Sequence, residues 1–154
     1  MMPDLTHLLG NWADAPEHIV HLLVAFLLAL PIALDRERED QSAGLRTFPL
    51  VAIASCGLVQ TAISVLGPTA ITQASILQGL VTGIGFIGAG AIMRQGTLTY
   101  GTATAASIWN VGIIGGAVGY GYFDIGIILA VANIVVLRYL ARFTRKPQQE
   151  RDRG

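Results

Sequence analysis

Five long apolar stretches in a chain of 154 residues constrain the fold more than any other feature of this sequence. They run from His18 to Leu34, Leu45 to Leu66, Ile71 to Met93, Thr102 to Val118 and Ile125 to Leu140. A helix crossing ~30 Å of hydrocarbon at ~1.5 Å per residue needs about 20 apolar residues, and fewer when flanking side chains reach back to the interface. Each stretch therefore reads as a membrane-spanning helix; a four-span arrangement would require one of them to lie flat. Only 13% of the residues are charged, against roughly 25% in soluble domains, so little polar sequence remains to clothe a water-soluble core. The expected fold is an all-α membrane protein, a compact bundle of about five transmembrane helices, and a soluble enzyme is excluded. The single cysteine, Cys56, rules out an intrachain disulfide framework.

The placement of charge orients the bundle. With five spans, every Lys and Arg (Arg36, Arg38, Arg46, Arg94, Arg138, Arg142, Arg145, Lys146, Arg151 and Arg153) falls on one side. The N-terminus and the turns near Gly67 and Tyr122 carry none. The positive-inside rule then puts the N-terminus outside and the C-terminus in the cytoplasm. Residues 1–17 form an extracytoplasmic segment, 18–142 the transmembrane domain and 143–154 a polar cytoplasmic tail. Asp14 and Glu17 precede the first span and no basic residue does, which argues against a cleavable signal peptide.

Lipid tails are as apolar as leucine, so membrane helices associate through close backbone contact and polar bonds rather than hydrophobic burial. Glycine positions are therefore informative. On helix 3, Gly79, Gly83 and Gly90 share one face while Gly85 and Gly88 point the other way. Two flat faces predict that helix 3 sits between neighbours at the centre of the bundle. On helix 4, Gly112 and Gly116 belong to a small-residue face suited to contact with helix 3 or with a second copy of the chain, so a homo-oligomer is open. The mid-membrane polar residues, among them Ser55, Gln78, Thr82, Thr104, Ser107, Asn110 and Asn133, are not ionisable. A proton relay or ion-coupling site normally needs Asp, Glu or His inside the bilayer, which weakens a coupled-transporter reading.

Several motifs reduce to ordinary structure. Gly83-Ile84-Gly85-Phe86-Ile87-Gly88 has the spacing of a dinucleotide fingerprint but lies inside one apolar span, without the preceding strand that the motif requires. His18 and His21 stand one turn apart beside Glu17, too few ligands for a closed metal site. No basic aromatic stripe suggests nucleic acid. The distinctive polar segment is Asp35-Arg36-Glu37-Arg38-Glu39-Asp40, followed by Ala43-Gly44-Leu45-Arg46-Thr47. Continued helix would pair Arg36 with Asp40 and Asp35 with Arg38, and Arg46 is expected to pair with Asp35 or Glu37. This segment reads either as a self-neutralised helix end or as a docking or sensing surface.

Leu34-Asp35-Arg36-Glu37, Ala43-Gly44-Leu45-Arg46-Thr47, Gly83 to Ile92, then Arg94, Gly96, Gly101, Thr104-Ala105-Ala106 and Trp109 together resemble the MgtC/SapB family of bacterial inner-membrane proteins. Ala33, Asp35 and Thr102-Ala103 depart mildly from that family's pattern. The resemblance implies a role in growth under low magnesium and, in pathogens, survival inside macrophages, exerted through contact with membrane partners including the ATP synthase. Virulence-linked members carry a further cytoplasmic domain that is not expected here. The reading is a non-enzymatic membrane protein that modulates a membrane-protein partner under magnesium or acid stress. Its alternatives are an Mg2+ transporter or channel and a purely structural subunit. Asp35, Arg36, Glu37 and Arg46 form the expected functional cluster, and Thr104, Trp109 and Asn110 the expected intramembrane contacts. Gly79, Gly83, Gly85, Gly88, Gly90, Gly112 and Gly116 are the expected packing positions. No cofactor is expected, Mg2+ entering only as an effector or transported ion.

Overall fold

The computed structural model describes residues 12–39, 43–67, 69–95 and 98–140. Residues 1–11 of the segment expected at 1–17, and the whole of the tail expected at 143–154, lie outside the described residues. The elements are α1 (Ala15–Arg38), α2 (Thr47–Leu66), α3 (Ala70–Gly90), a hairpin of β1 (Met93–Gln95) and β2 (Leu98–Tyr100), α4 (Thr102–Gly119) and α5 (Phe123–Val135). The last helix runs on into a π-helical turn, Val136–Leu140. Short turns make consecutive helices antiparallel neighbours. Their limits are set locally. Pro16 opens α1 where its missing N–H has no intrahelical role, and Thr69 caps α3 by accepting from the Thr72 N–H at 3.3 Å. Gly67 closes α2 and Gly101 opens α4, with φ of 75° and 82°. At Gly101 a side chain would in addition strike the Ala91 carbonyl.

The helix α1, with 24 residues, is about 36 Å long. Together with α2, α3 and α5 continued through its π turn, it is long and apolar enough to cross a bilayer. The exception is α4, and its position explains why: it packs against each of the other four helices. Ile108, Val111, Ile114 and Val118 are wholly buried along it. A helix sheathed by others meets little lipid, so it tolerates the Thr, Ser, Asn and Gly that lower its apolarity.

The central helix is thus α4, not α3 as the glycine faces of the sequence predict. Both helices carry glycine on two sides, but only α4 has a neighbour on each. A Cβ at Gly115 would collide with the Ala52 carbonyl of α2, and one at Gly119 would come within 2.9 Å of the Cys56 carbonyl. Gly112 and Gly116 receive Ile84 and Leu80 of α3. On α3, Gly88 alone of the expected packing positions abuts another helix, 3.2 Å from the Ala105 carbonyl. Around Gly79, Gly83, Gly85 and Gly90 an added Cβ meets nothing within 4 Å. A helix face can be flat without being covered, and sequence periodicity alone does not distinguish the two.

The connection between α3 and α4 is a hairpin in which Met93 pairs with Tyr100, Arg94 with Thr99 and Gln95 with Leu98. Its sequence signal is the Gly96-Thr97 pair between two short runs, a glycine-first dipeptide of the kind two-residue hairpins favour. Those two residues lie outside the described set.

Candidate functional site

The C-terminal turn of α1, the N-terminus of α2 and the π turn after α5 meet at one end of the bundle. There the carboxylate of Asp35 is held from both sides. Its Oδ2 accepts from Arg36 Nη2 at 2.8 Å and its Oδ1 from Arg138 Nε at 3.1 Å. Arg138 is 103 residues away in sequence, so this one carboxylate ties α1 to the end of α5. The Asp35 side chain is 13% exposed, that of Arg36 8% and that of Arg138 53%. Two guanidinium groups share this one carboxylate. Arg36 Nε is buried with no hydrogen-bond partner among the described residues.

Glu37 does different work. Its Oε2 accepts from the Leu45 N–H at 3.0 Å, and the Gly44 carbonyl accepts from the N–H groups of Thr47 and Phe48 at 3.1 and 3.2 Å. The carboxylate thereby fixes the turn into α2 and places an anion near the positive end of that helix. Gly44 makes this possible, because a Cβ there would overlap the Glu37 carboxylate. The expected pairing of Arg46 with Asp35 or Glu37 does not form: Asp35 is bonded to Arg36 and Arg138, Glu37 to backbone, and Arg46 is exposed. Asp35 likewise turns to Arg36 and Arg138 rather than Arg38, and the expected Arg36–Asp40 pair falls on a residue outside the described set. A one-residue helical neighbour and a distant arginine outcompete the i,i+3 partner because α5 closes over this side of α1.

Within the bundle, α4 and α5 are joined by polar bonds. Ser107 Oγ donates to Asn133 Oδ1 at 3.1 Å, and Asn110 Nδ2 donates to the Leu129 carbonyl at 3.2 Å. These residues border a hollow of about 280 Å³ that also touches Ala106 and Leu137. Of the expected intramembrane contacts, Thr104 is wholly buried and Asn110 bridges to α5, whereas Trp109 is 43% exposed on the outer side of α4. Sequence reasoning missed Arg138 as the second partner of Asp35 and the Ser107–Asn133 pair. The available signal was an arginine at the very end of an apolar span, and a hydroxyl and a carboxamide on the two helices of a short helical hairpin.

At the opposite end, His21 Nδ1 lies 2.9 Å from the Glu17 carbonyl and its ring packs on Phe123 with centroids 4.9 Å apart. His18, Asp14 and Gln60 border a hollow of about 640 Å³ between α1 and α2. Among the described residues no group of three or more His, Cys, Asp or Glu could hold a metal ion.

Comparison with known proteins adds family context to this geometry. The profile of the MgtC family matches residues 22–146. Protein SrpB of Synechococcus elongatus is 33% identical over 88% of this chain and 80% of its own length. Protein MgtC of Salmonella typhimurium is 35% identical over 84% of this chain but 57% of its own length. The putative magnesium transporter YhiD of Escherichia coli K12 is 31% identical over 83% of this chain and 62% of its own. This chain thus spans less than two thirds of MgtC and YhiD. No solved structure matches significantly.

Proposed function

Since this chain belongs to the MgtC family, we propose that it is a non-enzymatic protein of the bacterial inner membrane that modulates a membrane-protein partner during adaptation to low Mg2+ or related stress. The observation that carries this over ion transport is the state of Asp35. It is the carboxylate at the basic end of α1 on which a permeating Mg2+ would have to be held, and both of its oxygens already accept from guanidinium groups. A dication would have to displace Arg36 or Arg138 from it. The interior amides support the same reading, since the Asn110 Nδ2 and the Asn133 Oδ1 are engaged between α4 and α5, although the buried Asn133 Nδ2 has no partner among the described residues. Mg2+ then acts as an effector and not as cargo, and the charged end with exposed Arg46 is the contact surface.

The printed name of YhiD keeps Mg2+ transport as the second reading. Purified protein in sealed liposomes with an internal Mg2+ dye separates the two. The expected result is no saturable Mg2+ influx from folded protein. Saturable influx that disappears in Asp35→Asn would establish a transporter and overturn the regulatory reading.

A further inference from the structure

The helix α3 is built with its polar side outward. It turns Ile76, Leu80, Ile84 and Gly88 toward the bundle, a stripe repeating every four residues. The opposite side is lined by Ile71, Ser75, Gln78, Thr82, Gly85 and Ala89. Their spacing alternates four and three residues throughout, the period of a seam between two left-handed supercoiled helices. All but Gly85 are exposed, and the Cβ position of Gly85 faces open space. Lipid offers no reason to place Gln78 on such a line, because a carboxamide in hydrocarbon loses its water and gains no bond. The hydroxyls of Ser75 and Thr82 donate to the carbonyls of Ile71 and Gln78 within the helix, at 3.1 and 2.8 Å. The Gln78 side chain makes no hydrogen bond to any described residue.

We infer that this seam is the interface of a parallel homodimer in which α3 of one copy packs along α3 of the other about a two-fold axis normal to the membrane. The occupant is a second copy because the chemistry is self-complementary. A carboxamide carries both donor and acceptor, so Gln78 facing the partner's Gln78 satisfies both groups with nothing supplied from elsewhere. In a membrane two copies share one orientation, which makes the helices parallel and brings each seam position opposite itself, as an isologous contact demands. Gly85 and Ala89 let the backbones approach closely on one side of Gln78, and Thr82 offers its oxygen as a further acceptor. The inference is independent of whether the protein regulates a partner or moves an ion.

The test is disulfide crosslinking in native membranes, with Cys56 replaced by alanine and single cysteines placed along α3 of the full chain. Homodimer bands are expected for Ser75→Cys and Thr82→Cys, which keep Gln78, and several-fold weaker bands for Leu77→Cys and Val81→Cys on the flank. In liposomes, Gln78→Leu is expected to weaken dimerisation measured by energy transfer on the order of tenfold, with secondary structure unchanged. Equal crosslinking at seam and flank, seam cysteines captured by a different protein instead of by a second copy, or a dimer indifferent to Gln78→Leu would each overturn the assignment.

Discussion

The two arginines bonded to Asp35 make similar contacts but sit in different surroundings, and the surroundings decide what each bond is worth. Arg36 is nearly enclosed and Arg138 is half open to solvent. Asp35→Ala leaves an enclosed guanidinium without its counter-charge, for which a loss of about 3 kcal/mol is expected. Arg138→Ala removes an exposed partner and is expected to cost under about 1 kcal/mol. Denaturant unfolding in detergent distinguishes the two, and equal losses would mean that Arg36 finds another acceptor. Glu37 shows how far the sequence carries at this scale. An acidic group near the start of α2 is legible from the run of charges, but its bond to the Leu45 N–H depends on the bare Cα of Gly44 lying under its carboxylate. Arg46 carries the converse lesson, since charge complementarity nominated its partners and the geometry gave them to other donors.

Among the elements, α4 and α3 have comparable glycine content and opposite roles. Gly115 lies against the backbone of α2, so Gly115→Ala forces the helices apart, with an expected loss of about 2 kcal/mol. Gly79 faces open space, so Gly79→Ala is expected to change stability by less than about 0.5 kcal/mol. Comparable losses at both positions, by the same unfolding measurement, would contradict the packing described above. The helices themselves were legible in the sequence because apolarity over some twenty residues leaves a chain in lipid few other ways to satisfy its backbone. The hairpin after α3 was not, because three-residue strands are too short for a period to show.

For the whole molecule, five helices running alternately up and down put the described arginines at one end of the bundle and the α2–α3 and α4–α5 turns at the other, and crossing of the bilayer by all five would set those ends on opposite sides. A fluorescent-protein fusion at the C-terminus should therefore fluoresce in the cytoplasm, while alkaline phosphatase inserted at the α2–α3 turn should be active outside. Activity of both reporters on one side would break the five-span arrangement. By itself the sequence determined the membrane class, the number of long helices, the end at which basic residues collect and membership of the MgtC family, because these follow from local composition and from residues read in order. Which helix lies at the centre, which arginine reaches Asp35 and which face of α3 is left without a neighbour were decided by the tertiary structure alone. Each depends on what stands opposite a residue in space, and in a bundle whose helices cohere through close contact rather than burial from water, many faces are locally suited to a neighbour that only the packed arrangement supplies.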